Sequence, residues 1–485
     1  MPDSGNSGGT DVLRDPAPST AVGLTELAGF PEILYNPAAG EDCLRSGHIL
    51  RSPHGMYLPV AHAGQVRDVL RNWPVTDVRF ICVTDGGRVL GRSASGMGIP
   101  MGKQRLYSTA AVPPEGLLQV YLDAGTDDET CLRDPLYAGL RRRRPPPGEL
   151  YAFTEEFVEA VQEVFPDCCI HFQDWAGADP IALLDRYRGK VSCYNDDAQG
   201  TAGVVLAGLI NALKITGGQL DEQRILFLGA GSAAAGIAGL LVRALGQQGV
   251  APGVARQQIR MFDTQGLVVR GRPGLAAHKL PYAHALPPGK PFDHLDLASE
   301  QPQITAAIND FKPTVLIGVS TAGKLFSREI VATMSRHNDR PVIFALSNPV
   351  DTHEVLPQDA YAWSGGRAVY AGGVQFPPVR LAGQTFLPSQ ASNLYIFPAV
   401  AMAIYATGAR HATDEMVIEA ARAVASQVTP QQLTLGMLFP PQSSILETGI
   451  QTATRVADLV FDAGLAHVNR PDDTQDFIRQ HVYAG

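Results

Sequence analysis

A glycine-rich segment near the middle of the chain has the residue types and spacing of a dinucleotide-binding loop. The sequence GAGSAA, which begins at Gly229, fits the pattern G-x-G-x-x-A and follows the apolar run 224–228, a predicted strand. Gly229 permits a tight turn, and Gly231 lets the backbone approach a pyrophosphate. A helix that begins near Ser232 and Ala233 would then present its free N–H groups to the phosphates. We therefore predict a coenzyme site here.

An acid lies where the ribose of such a coenzyme would be bound. Asp263 ends the next predicted strand, 259–263, where a carboxylate can accept hydrogen bonds from ribose hydroxyls. A carboxylate repels a 2′-phosphate and so favours NAD. Lys279 and Arg270 lie further along the same segment and could oppose that repulsion. The residues alone therefore leave NAD and NADP both open.

Three carboxylates provide a second candidate site. Asp196 and Asp197 are adjacent and precede an apolar helix-like stretch, 201–213, while Asp174 follows a predicted strand. Adjacent acids are also typical of a solvated turn or a helix cap. Carboxylate oxygens are equally the ligands that a hard divalent cation prefers. The spacing leaves both interpretations open.

The elements that must position these residues alternate between strands and helices. In the first part of the chain, three apolar runs predict buried strands of a parallel sheet, each followed by an acid. These are 80–84 with Asp85, 117–122 with Asp123, and 168–172 with Asp174. Because ligands bind at the carboxyl edge of such sheets, we predict an acidic cleft there.

A second unit of the same kind begins near residue 200. Its predicted strands are 224–228, 259–263, 314–319, 342–346 and 368–371, and the pattern after about residue 392 is helical. The alternation predicts an α/β protein with a doubly wound, Rossmann-type NAD(P) domain beside an N-terminal α/β substrate domain, the C-terminal helices returning to that first domain. The predicted divisions are a disordered tail at 1–20, a substrate and catalytic domain at 21–196, the coenzyme domain at 197–392, and a C-terminal helical segment at 393–485.

Composition excludes several classes of protein. The chain has 485 residues, of which 45% are hydrophobic and 18% charged, so it is globular and long enough for about three domains. Its 39 basic and 48 acidic residues give a net charge of −9, which argues against general nucleic-acid binding. The four arginines 141–144 precede three prolines and are interpreted as a solvated loop.

The remaining features indicate a cytoplasmic setting. The six cysteines show neither a CxxC pair nor zinc-ligand spacing, which predicts buried thiols in a reducing compartment. The polar N-terminus has no apolar segment typical of a secretory signal. No run reaches the roughly 20 uninterrupted apolar residues of a membrane-spanning helix, and the most apolar stretch, 394–407, contains Pro398. We therefore expect no membrane partner.

Ordered motifs along nearly the whole chain resemble the malic enzyme family. They include ILYNP at Ile33, VTDGGRVLG at Val83, GMGIPMGK at Gly96, YNDDAQGT at Tyr194, FALSNP at Phe344 and NLYIFP at Asn393. The chain looks like the larger, eukaryotic-type branch with a shortened N-terminal region. The resemblance implies oxidative decarboxylation of (S)-malate to pyruvate and CO₂ with NAD or NADP and with Mg²⁺ or Mn²⁺. It also implies a homodimer or homotetramer.

The family assigns roles to residues that would otherwise be interpreted as structural. By resemblance, Lys103 is the base that takes the hydroxyl proton, with Asp196 beside it tuning its charge. Tyr35 is the acid that protonates the enol of pyruvate. Arg88 grips a substrate carboxylate. The other roles that the resemblance implies are Asn348 and Asn393 as partners of substrate or nicotinamide, Lys279 at a 2′-phosphate, and Gln173, Asp174 and Asp197 at the metal. The lysine at position 279 favours NADP.

The sequence departs from the family pattern at three points. Gln173 replaces the family's glutamate, which keeps an oxygen but removes a negative charge and should weaken cation binding. The loop 90–95 is short and lacks the family's aspartate, and Ser392 replaces the first of two paired asparagines. These changes leave three hypotheses open: a malic enzyme with a weakened metal site, an enzyme for another malate-like 2-hydroxy acid, or a catalytically silent nucleotide-binding paralogue. Arg92 could bind an additional anion in the second case, which includes a malolactic-type reaction, whereas the catalytic residues Tyr35, Lys103 and Asp196 argue against the third.

Overall fold

A computed structural model describes residues 55–88, 98–110, 112–137, 139–175, 179–285 and 301–482. Tyr35, the predicted tail at 1–20 and the whole of the short loop 90–95, which contains Arg92, lie outside these described residues.

The first unit is a five-stranded parallel sheet with helices packed against it. Its strand order is β1-β3-β2-β4-β5, and every neighbouring pair is parallel. Its elements are β1 (Met56–Pro59), α1 (Val66–Arg71), β2 (Phe80–Thr84), α2 (Gly98–Ala110), β3 (Leu117–Asp123), α3 (Glu129–Arg133), α4 (Pro147–Val164), β4 (Cys169–Phe172), α5 (Asp179–Tyr187) and β5 (Cys193–Asn195). The central strands β2, β3 and β4 are buried along their whole length, which is why their sequences are continuous apolar runs.

The second unit is a seven-stranded sheet of the doubly wound kind. Its elements are α6 (Thr201–Thr216), β6 (Ile225–Leu228), α7 (Ser232–Gln247), α8 (Pro252–Gln257), β7 (Ile259–Asp263), β8 (Gly266–Leu267), α9 (Gln301–Phe311), β9 (Val315–Gly318), α10 (Arg328–His337), β10 (Val342–Ala345), α11 (Pro357–Trp363), β11 (Val369–Gly372), a separate hairpin of β12 (Val379–Leu381) and β13 (Gln384–Phe386), and β14 (Ser389–Gln390). The order is β14-β11-β10-β9-β6-β7-β8, with only β8 antiparallel to its neighbour. The strand order reverses between β6 and β9, and ligands bind at the carboxyl edge of such a reversal.

The chain ends in helices that return to the first unit. They are α12 (Phe397–Thr407), α13 (Asp414–Ser426), α14 (Pro430–Thr434), α15 (Ile445–Asp462) and α16 (Thr474–Gln480). Phe397 at the start of α12 packs edge-on against Tyr107 of α2, with ring centroids 5.4 Å apart. Arg188, just after α5, forms an ion pair with Asp414 of α13 at 2.7 Å. The predicted fold class is confirmed, whereas the exact domain boundaries stay a prediction.

One long apolar helix forms the shared core of the two units. Helix α6 packs against α7, α13 and the strand β11, and its side chains belong to a buried cluster that includes Tyr107, Phe227 and Phe397. Together with the preceding turn it spans Asp196–Thr216 and is long and apolar enough to cross a membrane, although 78% of its most apolar window is buried inside the protein. This helix is longer than the apolar stretch 394–407 that the sequence analysis names, and its burial is that of a core helix.

Candidate functional site

Lys103 and Asp196 form a buried ion pair between the two units. Lys103 lies on α2, and Asp196 follows β5 in a single π-helical turn, Asp196–Gly200. The lysine Nζ is 2.5 Å from Asp196 Oδ2, and the two side chains are 0% and 1% exposed. The same Nζ is 4.2 Å from the centre of the Phe397 ring. An ammonium with an acid on one side and an aromatic face on another is held in one position.

The turn that carries Asp196 is shaped by its own side chains and by the C-terminal segment. Asn195 Oδ1 accepts a hydrogen bond from the Ala198 N–H at 2.9 Å, which begins the turn. Asn393 Nδ2 donates to Asp196 Oδ2 at 3.1 Å. A Cβ at Gly200 would lie 1.7 Å from Asp196 Oδ1, so a larger residue there would displace the Asp196 carboxylate. The structure therefore brings Lys103, Asp196 and Asn393 together from three distant parts of the chain.

The three predicted metal ligands also converge. Gln173 and Asp174 follow β4, and Asp197 lies one strand away at the same sheet edge. Gln173 Nε2 donates to Asp197 Oδ1 at 2.7 Å and to Asp174 Oδ1 at 3.0 Å. The Asp174 N–H donates to Asp197 Oδ2 at 2.7 Å. The glutamine amide thus bridges the two carboxylates.

The electrostatics of this cluster suit a divalent cation. Burial, followed by the neighbouring charge of Asp197, holds the pKa of Asp174 well above its usual range. Burial also raises the pKa of Asp197 to about 6, although the Lys103 charge opposes this shift. Three aspartates against one lysine leave two negative charges uncompensated when all are ionised, which a divalent cation would neutralise.

The donor atoms also fit such an ion, within limits. Gln173 Oε1 and Asp174 Oδ2 are buried without a hydrogen-bond partner, and both are hard oxygen donors. Across the described part of the chain, however, no group of three His, Cys, Asp or Glu side chains converges as a metal site would require. The cluster reaches three ligands only if the glutamine oxygen is counted, so its amide must rotate from the position that bridges the carboxylates.

Two of the three predicted substrate-binding residues are bonded to residues of the acidic cleft, Arg88 to Asp174 and Asn393 to Asp196. Arg88 is exposed, and its N–H donates to the Asp174 carbonyl oxygen at 2.9 Å, which ties the arginine to the candidate metal site. Asn348 lies in the loop after β10, and its Oδ1 is buried without a partner. Because Tyr35 lies outside the described residues, its predicted role as the proton donor stays a prediction.

The glycine-rich loop has the conformation that a pyrophosphate site needs. Gly229 has φ +112°, and a Cβ there would lie 2.5 Å from the Val319 carbonyl oxygen, so this position requires glycine. Gly231 caps α7, and a Cβ there would have no neighbour within 4 Å, which leaves its backbone open to a ligand. Ser232 and Ala233 begin the helix, where N–H groups have no partner within the helix.

Asp263, the acid predicted to bind the ribose, is ion-paired with two basic side chains. Lys279 Nζ donates to Asp263 Oδ2 at 2.6 Å, and Arg272 Nη2 donates to the same oxygen. Burial raises the pKa of Asp263, but these hydrogen bonds outweigh it and hold the pKa below its usual value. The group therefore carries a net positive charge, which removes the repulsion of a 2′-phosphate expected from Asp263 alone.

A close backbone approach joins the coenzyme loop to the acidic turn. A Cβ at Gly236, in the first turns of α7, would lie 2.8 Å from the carbonyl oxygen of Ala198. Ala198 belongs to the Asp196–Gly200 turn. The sequence analysis missed Gly236, although a third glycine seven residues after the first was a visible signal of close packing. It also missed Arg272, for which the only sequence signal was a basic residue nine positions after Asp263.

Two expectations about charged residues were wrong in part. Of the three acids that follow strands, Asp174 alone reaches the cleft cluster. Asp85 is fully buried and ion-paired with Arg144, and Asp123 accepts hydrogen bonds from the N–H groups of Gly125 and Leu140. The arginine run is not wholly solvated, because the Arg144 side chain is only 12% exposed. A strand-end acid can stabilise the adjoining loop instead of binding a ligand.

Fold and site together define a class of protein: a two-unit α/β enzyme with a dinucleotide loop held against an acidic cleft. The family models "Malic enzyme, N-terminal domain" and "Malic enzyme, NAD binding domain" match residues 20–188 and 198–461. The chain belongs to the malic enzyme family.

Individual relatives agree with this assignment. The chain is 40% identical over 469 residues to the NADP-dependent malic enzyme of Phaseolus vulgaris, covering 95% of this chain and 78% of the relative. It is 38% identical over 468 residues to that of Sus scrofa, covering 95% and 82%. The crystal structure of Entamoeba histolytica malic enzyme has the same fold, with a TM-score of 0.63 at 22% identity, over 99% of this chain and 90% of that one.

Proposed function

We propose that the protein catalyses the oxidative decarboxylation of (S)-malate to pyruvate and CO₂, with NADP as coenzyme and Mg²⁺ or Mn²⁺ as cofactor. The observation that carries the proposal is the buried Lys103–Asp196 pair, whose turn also bears Asp197 of the carboxylate cluster. The same turn touches the coenzyme helix at Gly236. The turn thus carries residues proposed for proton transfer and for cation binding, and it packs against the helix proposed to bind the coenzyme. Relatives that are named NADP-dependent malic enzymes support the substrate and coenzyme.

The roles of the chain's residues follow from what the reaction needs. Oxidation at C2 requires loss of the hydroxyl proton, and Lys103 accepts it as the neutral amine, after its ammonium form has released a proton to solvent. Asp196 holds the lysine nitrogen in place at 2.5 Å and stabilises its charge after transfer. When bound, NADP accepts the hydride and the divalent cation supplies an electron sink for loss of CO₂. Protonation of the enol at C3 is assigned to Tyr35.

Substrate binding uses residues around the acidic cleft. Arg88 binds a malate carboxylate through its planar pair of N–H donors. Its backbone bond to Asp174 holds the main chain of Arg88 beside the carboxylate cluster. Asn393, which is bonded to Asp196, and Asn348, whose Oδ1 is buried without a partner, serve as hydrogen-bonding groups for substrate and nicotinamide. Gln173, Asp174 and Asp197 are the residues that would hold the cation.

One assay tests the function. Purified protein is incubated with malate, Mn²⁺ and either NADP or NAD, and reduced nicotinamide and pyruvate are measured together. With NADP we expect reduced nicotinamide and pyruvate in equal amounts. The turnover rate should lie within about a hundredfold of ordinary kcat values (~1–10³ s⁻¹), and a chelator should abolish the activity. Turnover only with another 2-hydroxy acid would favour a repurposed enzyme. Coenzyme binding without any turnover would mean a silent paralogue.

We also propose that the protein is a homodimer or homotetramer, as the family resemblance implies. Light scattering coupled to gel filtration tests this directly, because the single chain has a mass of 51.8 kDa. Particles of two or four chain masses are expected, and a single-chain mass at all concentrations would contradict the proposal.

A further inference from the structure

Arg144 differs from the other arginines of its run. Arg142 pairs with Glu149 at 3.7 Å and Arg143 pairs with Glu129, and their side chains are 47% and 58% exposed. Arg144 is 12% exposed and turns inward instead. Its Nη1 donates to the Asp85 carbonyl oxygen at 3.0 Å, and its Nη2 donates to the Asp85 carboxylate. One guanidinium therefore binds both the backbone and the side chain of a single residue.

Asp85 opens the turn that leads from β2 to Arg88. The Asp85 side chain is fully buried, and its Oδ1 accepts a hydrogen bond from the Gly87 N–H at 2.8 Å. Burial raises the pKa of this carboxyl, and the Arg144 charge opposes that shift. Without Arg144 the carboxylate would be buried and unpaired, which is strongly unfavourable. Arg144 thus keeps Asp85 in the form that orders the turn.

The far end of this turn is anchored at the acidic cleft. The Arg88 N–H donates to the Asp174 carbonyl oxygen at 2.9 Å, and the Asp174 N–H in turn donates to Asp197. The turn is therefore bound at its start by Arg144 and at its end by a member of the carboxylate cluster. The main chain that carries Arg88 is thus held at both ends of the turn.

We propose that Arg144 is a positioning residue for substrate binding, acting through Asp85 on the turn that presents Arg88. This inference rests on the proposed function, in which Arg88 binds a malate carboxylate. Arg144 itself binds Asp85, at the start of the turn. Lysine cannot replace it fully, because its donors all lie on one nitrogen, whereas the guanidinium reaches the Asp85 carbonyl and carboxylate with two separate nitrogens.

Arg144→Ala, Arg144→Lys and the control Arg143→Ala test this role through separate KM values for malate and NADP. Because small misplacements of a binding group reduce productive binding strongly, we expect Arg144→Ala to raise the KM for malate about tenfold or more. The KM for NADP should stay within about twofold, Arg144→Lys should be intermediate, and Arg143→Ala should match the wild type. A merely structural loss would lower the active fraction, and hence kcat, with both KM values unchanged.

The outcomes separate this inference from the proposed function. Absence of malate turnover in the wild type would overturn both. Turnover in the wild type with an unchanged malate KM in Arg144→Lys and Arg144→Ala would overturn the positioning role alone. An equal rise in Arg143→Ala would also overturn it, because the effect would then belong to the charge of the loop. If Arg144→Ala does not fold, Arg144→Lys decides: an unchanged malate KM overturns the inference and a raised one supports it.

Discussion

At Gly236, a single added methyl group should push helix α7, which begins at the coenzyme loop, away from the Asp196–Gly200 turn. An alanine Cβ would lie 2.8 Å from the Ala198 carbonyl oxygen and 3.1 Å from the Ala198 Cα, both of them backbone atoms. Ordinary contact requires about 3.4 Å, so α7 and the turn must separate by about 0.6 Å. Gly239, in the same helix, provides the control, because its Cβ would meet nothing closer than the Tyr282 hydroxyl at 4.0 Å.

The expected change in the free energy of unfolding has opposite signs for the two substitutions. Alanine in a helix interior stabilises by about 0.5–1 kcal/mol relative to glycine, which is the full effect expected for Gly239→Ala. In Gly236→Ala the same gain is opposed by an overpacking cost of about 1–3 kcal/mol. We therefore expect Gly236→Ala to be destabilised by about 1 kcal/mol net. We also expect its kcat to fall about tenfold, because the Asp196 turn moves relative to the coenzyme.

Denaturant unfolding and steady-state kinetics of both variants measure these effects. The free energy of unfolding should rise in Gly239→Ala and fall in Gly236→Ala, with kcat reduced only in the latter. Equal stabilisation of both variants, with both kcat values within twofold of the wild type, would refute the close approach of α7 to the turn.

Three further predictions concern the coenzyme, the cation and the thiols. Lys279→Gln removes a charge-assisted bond worth about 1.5–3 kcal/mol, so kcat/KM should fall roughly ten- to a hundredfold with NADP and little with NAD; an unchanged preference would exclude Lys279 from the 2′-phosphate site. Gln173→Glu restores a charge and should tighten Mn²⁺ binding about tenfold, measured by electron paramagnetic resonance of free Mn²⁺, whereas unchanged or weaker affinity would place Gln173 outside the metal shell. Among the cysteines that the structure describes, burial raises the pKa of all five thiols, and only Cys131 is not buried. Because a reagent reaches Cys131 most easily, replacing it with serine should remove one fast-reacting thiol in labelling with a disulfide reagent, and no loss would contradict this.

The strands and the coenzyme loop could be predicted from sequence because their signals are local. Strands buried on both faces must be continuous apolar runs, and the structure places β2 at Phe80–Thr84 as the sequence indicates. The loop at Gly229 requires a positive φ and a close approach to Val319, and glycine is the residue that meets both needs. Local conformation and burial are therefore written in short stretches of sequence.

The long-range pairings could not be predicted in the same way. Arg144 and Asp85 are 59 positions apart, and the charge of each residue gives no sign of the other. A run of arginines before prolines is typical of a solvated loop, and tertiary contacts alone turn its last member inward. Asp85 and Asp174 follow neighbouring strands in equivalent places, yet one stabilises a turn and the other joins the acidic cluster. Spacing identifies which edge a residue occupies, but not its partner.

Six of the site residues that the family resemblance assigned form two hydrogen-bonded groups. Lys103, Asp196 and Asn393 are directly hydrogen-bonded, as are Gln173, Asp174 and Asp197. The structure adds the bridging role of the Gln173 amide, which no motif indicates. This bridge exists because an amide donates to carboxylates where the glutamate of the family would repel them. The roles of all these residues in the reaction stay predictions for kinetic tests.

The most direct measurement is the malate turnover of Lys103→Met, a substitution that keeps most of the side-chain volume and removes the amine. With NADP and Mn²⁺ saturating, we predict that kcat falls by about 10²–10⁴-fold, the usual contribution of a general base, while NADPH binding measured by fluorescence stays unchanged. A kcat within tenfold of the wild type, in a variant that still binds NADPH, would contradict the claim that the buried Lys103–Asp196 pair performs the proton transfer.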